Sequence, residues 1–284
     1  MPDIITSRKN EWVKFAARLS ADSAFRRKEG SFLVEGARLC EDAVRSGCEV
    51  ACLFYTEQAL SRYARYLEKM IPAARRAFQV APHVAQLLSE TKTSQEVFCI
   101  CGLAGSGAQP AGEKPIVGRC LALENVQDPG NMGTILRTAE ALGLQEVIVA
   151  GQSCDVYSPK VLRASMGAVF RLPLRYEADL ACLFNRLKRQ GTACYAAVPR
   201  ADARSILEVD FTPPSIVAVG NEGNGLRAET IEASAVSSVK VVSSGLNSPN
   251  TAPQMANPSS STFLPMTEPR MISLLIGSPP LTEM

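Results

Sequence analysis

The chain has 284 residues, 46% of them hydrophobic and 20% charged, with thirty Lys and Arg against 28 Asp and Glu for a formal net charge of +2. That length suits two domains better than one, and a mean hydropathy of +0.03 excludes collagen, coiled coil and wholesale disorder. No apolar run reaches the roughly 18–20 residues of a bilayer span and the first residues lack a signal-peptide pattern, so a cytoplasmic protein is expected; with so small a net charge, any nucleic-acid partner has to be argued from local charge.

The periodicity predicts a front module over 1–102 that alternates helix and strand. Asn10 to Leu19 is amphipathic, with Trp12, Val13, Phe15 and Ala16 on one side, and 32–47 runs from a short strand into a helix. A buried strand at 50–55, a helix from Leu60 to Met70, a strand at 77–80, a short helix at 83–89 and the strand EVFCICGL follow. Four Gly and two Pro between Gly102 and Pro115, with no hydrophobic period, read as a linker over 103–115.

The second module, 116–242, opens with a strand at 116–124, a turn, a helix at 132–142 and a strand at 146–151. A helix from Ser158 to Met166, a strand near 168–174, a helix at 179–189, strands at 193–198 and 216–220, and a last helix and strand complete it. Strands alternating with helices predict a parallel sheet covered on both faces, with ligands at the carboxyl ends of its strands. From Ser243 to Met284 no period survives: seven of the 18 prolines fall there, with only Glu268, Arg270 and Glu283 charged, so 243–284 is expected to be an atypical Pro/Ser-rich tail.

The nine cysteines form no C-x-x-C pair and sit mostly in apolar stretches, as reduced core thiols do. The single histidine, His83, reads as a surface or helix-cap residue, and its solitude removes His-rich metal sites and nearly all Ser-His-Asp chemistry. No metal is expected.

Three constellations carry the chemistry. In Leu123-Glu-Asn-Val-Gln-Asp-Pro-Gly-Asn-Met-Gly-Thr-Ile-Leu-Arg-Thr-Ala139, a strand ends at Glu124, Asp128 to Asn131 is turn chemistry, and a helix from Gly133 is expected to hold Arg137 near its start, suited to a phosphate. An Arg paired with a surface carboxylate is an equally good reading of the same residues. In the second, Ser158-Pro159 starts a helix on which Lys160 and Arg163 share a face beside the small residues 165–168; they could line a groove for an RNA backbone or a solvated face. The third, Gly220-Asn-Glu-Gly-Asn-Gly225, follows a buried strand. Its G-x-x-G-x-G spacing is not a dinucleotide fingerprint, so its glycines bring backbone to a flat ligand while Glu222 supplies a carboxylate.

Taken in this order, Asn125…Asp128-Pro-Gly-Asn-x-Gly…Arg137-Thr-Ala, Ser158-Pro-Lys…Arg163-Ala-Ser-x-Gly-Ala and Gly220-Asn-Glu-Gly-x-Gly-Leu resemble the SpoU (TrmH) family of RNA ribose 2'-O-methyltransferases over about 115–242. The front module, with Ile5-Thr-Ser-Arg-Lys-Asn, Val13-Lys14 and Arg26-Arg-Lys…Gly30-Ser-Phe-Leu-Val-Glu-Gly36, is similar to that family's substrate-binding domain. The resemblance implies an α/β fold in which an N-terminal α/β substrate-binding domain precedes a trefoil-knotted, SPOUT-type parallel-sheet methyltransferase domain. It also implies a homodimer, S-adenosyl-L-methionine as cofactor, and rRNA or, second, tRNA as partner. On the same resemblance Arg137 orients the attacking hydroxyl and its neighbouring phosphate, Asn131 and Glu222 shape the catalytic site, and Gly220, Asn221 and Gly223 meet the cofactor.

The family's last block departs. Where a strand ending Ile-Pro-Met, then Ser-Leu-Asn and an Ala-rich helix would follow, the chain reads Lys240-Val-Val-Ser-Ser-Gly-Leu-Asn247-Ser-Pro, and Pro249, Pro253 and Pro258 oppose a helix. Leu246 and Asn247 echo the family's cofactor wall; the abrupt change otherwise looks like a shifted reading frame, which would leave the knot incomplete. Two alternatives accompany the enzyme reading: a catalytically dead RNA-binding homologue and, much weaker, a nicotinamide oxidoreductase. The expected RNA-binding residues are Lys14, Arg26, Arg27 and Lys28, from a basic excess in residues 1–28, with Lys160 and Arg163.

Overall fold

The structure, a computed structural model, describes residues 4–103, 115–199, 203–234 and 238–240. Several of its helices start where the sequence places a short polar side chain. Asn10 Oδ1 accepts from the Trp12 and Val13 amides, Asp22 caps the next helix through the Phe25 amide, and Asp128 and Asp179 cap through Asn131 and Cys182.

The front module comprises β1 (Ile4–Ile5), α1 (Glu11–Ala21), α2 (Ser23–Glu29), β2 (Ser31–Glu35), α3 (Ala37–Arg45), β3 (Val50–Tyr55), α4 (Glu57–Arg62), α5 (Ala64–Ala73), β4 (Ala77–Val80), α6 (Pro82–Leu88) and β5 (Val97–Gly102). Its sheet runs β1-β4-β3-β5-β2, with β5 antiparallel to both neighbours and the other pairs parallel. The second module comprises β6 (Arg119–Glu124), α7 (Pro129–Ala141), β7 (Glu146–Ala150), α8 (Pro159–Ser165), β8 (Leu174–Glu177), α9 (Leu180–Arg189), β9 (Ala193–Ala197), β10 (Arg204–Ser205), β11 (Ser215–Val219), α10 (Ala228–Ala233) and β12 (Ser238–Lys240). These strands form a parallel sheet in the order β10-β12-β9-β11-β6-β7-β8. Alternation along β6 sends Leu121 and Leu123 to one face and Cys120 and Ala122 to the other, so both faces are covered as expected.

Four elements differ from the sequence reading. The helix at 60–70 is two helices broken at Tyr63, which leaves helical geometry. The basic stretch 23–29 is a helix of its own, α2, closed by Gly30 in the left-handed region. The strand near 168–174 is instead a short 3-10 turn at Ala168–Phe170 followed by β8. Gly167 at φ +86 reverses the chain there, and Ala168 and Val169 are buried as a turn rather than paired as a strand. Finally, α7 starts at Pro129 rather than 132, because the Asp128 cap and a proline in the first turn extend it forward. Arg137 is therefore eight residues, about 12 Å, inside α7. The expectation that it lies at a helix N-terminus is corrected. The knot-threading segment and the tail at 243–284, like linker residues 104–114, lie outside the described residues.

One apolar cluster runs through both modules. It joins Phe32, Val34 and Leu53 of the front sheet to Leu121, Met132, Leu136 and Val161 of the second, and Phe32 stacks on Tyr157 and Phe170, with ring centroids 4.8 and 6.0 Å away. The two sheets thus share a core.

Helices α7 and α8 approach closely inside the second module. A Cβ on Gly133 would collide with Ala164, whose carbonyl carbon would lie 2.8 Å away. Gly133→Ala is expected to destabilise the chain by about 1–3 kcal/mol through overpacking, despite alanine's better helix propensity; a denaturant melt measures it.

Candidate active site

The loops that close the site leave the carboxyl ends of adjacent strands β6 and β11. Glu124, the last residue of β6, is fully buried, and it accepts hydrogen bonds from the Arg227 amide (2.9 Å), Arg227 Nε (2.9 Å) and Thr230 Oγ1 (2.7 Å). The carboxylate holds the Arg227 guanidinium in its charged form, pushing its pKa further up. This buried charge ties the end of the loop after β11 to the start of the loop after β6. The sequence reading named Glu124 only as a strand end. A carboxylate closing the apolar run Cys120 to Leu123 was the available signal, since such a group needs partners.

Asn125 follows at φ +58, its Oδ1 accepting from the Gln152 amide (2.7 Å) and its carbonyl from Asn221 Nδ2 (2.9 Å). The loop after β11 is closed on itself: Asn221 and Gly225 exchange backbone hydrogen bonds of 3.0 and 2.9 Å, and Asn221 Oδ1 accepts from the Gly223 and Asn224 amides. A Cβ on Gly220 would strike the Gly225 backbone, so glycine there is required by the loop itself. Asn131, in the first turn of α7, donates to Glu222 Oε1 at 3.0 Å. Two of the three expected catalytic residues therefore meet, along with Gly220, Asn221 and Gly223. Leu246 and Asn247 lie outside the described residues.

Arg137, the third, is exposed on α7 and its Nη1 lies 3.1 Å from the Met166 sulfur. Met166 ends α8 at φ +50 and is 54% exposed. The arginine thus faces the second constellation, with no carboxylate paired to it among the described residues, against the surface ion pair that its sequence also allowed.

The six expected RNA-binding cations separate. Lys14, Arg27, Lys28 and Lys160 are exposed. Arg26 is a correction: it is 5% exposed, with Nε on Asp155 at 2.7 Å and Nη1 on the Leu19 and Ser20 carbonyls. It fastens the end of α1 to the loop that leads into α8, and no nucleic acid can reach it. Arg163 points across the module boundary to Glu35 and Glu90, at 3.9 and 3.7 Å, rather than sharing an open face with Lys160. A third crossing pair joins Arg171 to Asp42 (2.6 Å) and to Glu140.

On the surface, His83 Nε2 donates to the Thr6 carbonyl (2.7 Å) and takes no part in this chemistry. All nine cysteines are free. Burial, with Asp155, Asp128 and Glu222 nearby, pushes the Cys154 thiol up to about 12, which leaves it inert beside the site. Among the described residues no cluster of His, Cys, Asp and Glu could hold a metal, and no helix is long and apolar enough to cross a membrane.

A parallel α/β sheet with a ligand-loop cluster at its strand ends, preceded by a separate α/β sheet, is the architecture of a two-module RNA methyltransferase. The SpoU rRNA Methylase family matches residues 118–250, and an MRM3-like substrate binding domain matches 10–99. An uncharacterised tRNA/rRNA methyltransferase of Synechocystis is 32% identical over 80% of this chain and 81% of its own. The 23S rRNA (guanosine(2553)-2'-O)-methyltransferase RlmP of Bacillus subtilis is 29% identical over 80% and 86%. Among solved structures, a TrmH-family RNA methyltransferase from Porphyromonas gingivalis superposes with a TM-score of 0.69 at 28% identity, covering 93% and 94% of the two chains. The SpoU methyltransferase AviRb of Streptomyces viridochromogenes, solved with AdoMet, gives 0.74 at 25%, covering 94% and 96%. The chain belongs to the SpoU rRNA methylase family.

The Arg26–Asp155 pair generates a direct test. Arg26→Ala strands a largely buried carboxylate and is expected to cost about 3–5 kcal/mol, whereas Arg27→Ala, one residue away but exposed, should stay within about 0.5 kcal/mol. Urea unfolding of the two variants measures the difference.

Proposed function

We propose that this chain transfers the methyl group of S-adenosyl-L-methionine to a ribose 2'-oxygen in ribosomal RNA. The observation that carries the reading is the convergence of the separated constellations: Asn131 of the first bonds Glu222 of the third, and Arg137 of the first meets Met166 of the second. The cofactor supplies an electrophilic methyl on a sulfonium. The residues fit such a group: the loop from Gly220 to Gly225 offers backbone without bulky side chains, and Glu222 is an anion suited to a sulfonium's positive charge. Because the Gly223 amide is already taken by Asn221, this loop meets a ligand through its face and carbonyls rather than through that donor. The family match continues to residue 250, through Leu246 and Asn247, and this supports their role in the remaining wall despite the unusual tail.

A ribose hydroxyl is a poor nucleophile, so in-line placement supplies much of the acceleration. Arg137 orients the hydroxyl and its neighbouring phosphate through a forked guanidinium, which must leave Met166 to do so. Asn131 holds Glu222 in place. Transfer forms the O–C bond as the S–C bond breaks, and the hydroxyl proton passes to solvent. Residues 1–102 serve as the RNA substrate-binding domain, 103–115 as a linker, 116–242 as the methyltransferase domain and 243–284 as a tail; the exposed Lys14, Arg27, Lys28 and Lys160 contact phosphates. The chain works as a homodimer in the cytoplasm, a reading supported by nine free cysteines, as a reducing compartment maintains. No specific observation favours the catalytically dead alternative.

Tritiated methyl transfer to ribosomal RNA, followed by nuclease mapping of the 2'-O-methyl nucleotide, tests the reading; absence of transfer with intact cofactor binding would overturn it. Arg137→Ala should lower kcat at least ~100-fold with a melting temperature within a degree or two, since an exposed helix residue contributes little to stability. Arg137→Lys should recover little, because an ammonium lacks the fork. Cofactor at 100 times its Kd should stabilise the chain by about 2.7 kcal/mol, read as a rise in melting temperature.

A further inference from the structure

A large cavity lies between the two modules, beside the proposed catalytic arginine rather than at the cofactor loops. It measures about 810 Å³ and is walled by α3, by polar residues that precede β5 such as Thr91 and Gln95, by Arg163 and Met166 of the second constellation, and by Arg171. That volume lies within the range for small-molecule sites and holds a nucleotide.

Its charges do not cancel. The acids on its walls are engaged: Asp42 by Arg171 at 2.6 Å, Glu41 by Lys69 at 3.1 Å, and Glu35 by hydroxyls of Ser89 and Thr91 with Arg163 at 3.9 Å. Arg38 and Arg45, spaced i, i+7 on α3, line the same cavity, are exposed, and have no ion-pair partner among the described residues. Arg163 Nη1 is buried at the wall and makes no hydrogen bond. A buried guanidinium nitrogen that makes no hydrogen bond, its ion-pair partner Glu35 lying 3.9 Å away, is rare in folded proteins, and here it adjoins a cavity that carries two cations without an ion-pair partner. Met166 lines the same cavity and is exposed, its side chain a soft apolar surface on which an aromatic ring can lie.

We infer that this interdomain cleft is a binding site for the RNA nucleotide next to the methylated ribose, with its phosphate held between Arg38 and Arg45 and its base against Met166. The inference rests on the RNA reading above and deepens it. Met166 lines the cleft and touches Arg137, so the cleft adjoins the proposed catalytic arginine. A strand that enters there is gripped by both modules at once, and the shared core fixes the distance between grip and chemistry. The chosen polyanion is RNA because the cations alternate with hydroxyl and amide side chains, which suit ribose and phosphate oxygens.

The test uses the full chain and two surface variants. Arg38→Ala/Arg45→Ala should weaken binding of a ribosomal RNA fragment at least tenfold at about 150 mM salt, and should flatten the plot of log affinity against log salt by about 1.4–1.8, the loss of two phosphate contacts. Because both residues are exposed, the melting temperature should hold. The cofactor-induced rise in melting temperature and kcat at saturating RNA should also hold, while KM for RNA rises. Lys14→Ala/Arg27→Ala/Lys28→Ala supplies the comparison. Unchanged RNA affinity and salt slope in the α3 variant, with loss only in the Lys14 variant, would overturn the cleft site while leaving the methyltransferase reading intact. Failure of the unaltered chain to bind RNA or transfer methyl would sink that reading instead. A fall in kcat equal to the rise in KM would place the arginines in the chemistry and also reject a flanking-nucleotide site.

Discussion

The structure depends on how residues 155–171 are held between the two modules. Asp155 takes the buried Arg26, Tyr157 and Phe170 pack on the Phe32 ring, Arg163 reaches Glu35 and Glu90, and Arg171 reaches Asp42. On the other side the same segment packs through Val161 and Leu162 into the core of the parallel sheet, with Gly133 of α7 pressed against Ala164. Neither module alone satisfies it. Without the front module Asp155 would lose its cation and Tyr157 and Phe170 their aromatic partner. The left-handed turn at Met166 and Gly167, which faces Arg137, would have no fixed position. A glycine- and proline-rich connector at 103–115 is compatible with this because the covalent link does not have to set the geometry; the packed interface does.

The sheet order explains why the remaining site is precise. β6 and β11 are neighbours in parallel register, Leu123 opposite Val219, so their following loops emerge side by side. Glu124 then uses one buried charge to bind the far end of the second loop at Arg227 and Thr230, while Asn125 and Asn221 join the near ends. Asn131 to Glu222 is the third tie. A loop braced at three points costs little further ordering when a ligand arrives, which is the condition for a preorganised site.

The second module was legible because parallel buried strands read as apolar runs and because the constellations pair short helix-starting motifs with glycine turns. β6, β7, β9 and β11 fall close to where periodicity puts them. The failures share a cause. The start of α7 depended on whether Asp128 caps a helix or opens a turn, which local sequence leaves balanced. The segment at 168–174 reads as a strand because Val169 and Phe170 are apolar, yet their partners are in the other module. Arg26 belongs to a run of three cations and reads as solvated charge. What distinguishes it from Arg27 and Lys28 is a carboxylate 129 positions away, and no window of sequence contains both.

That last distinction changes how the basic residues of the front module work. In a single-stretch view Lys14, Arg26, Arg27 and Lys28 form one patch of equal members. In the fold, Arg26 is spent inside the interface and its neighbours stay on the surface, so the same cationic run both fastens the modules and presents charge to solvent. Screening divides these tasks: exposed phosphate contacts weaken steeply with salt, whereas a buried pair at 2.7 Å is screened far less. Moderate salt should therefore release RNA without disturbing the alignment of Met166 with Arg137. The distance between the exposed basic residues and the proposed catalytic arginine is then a property of the folded chain.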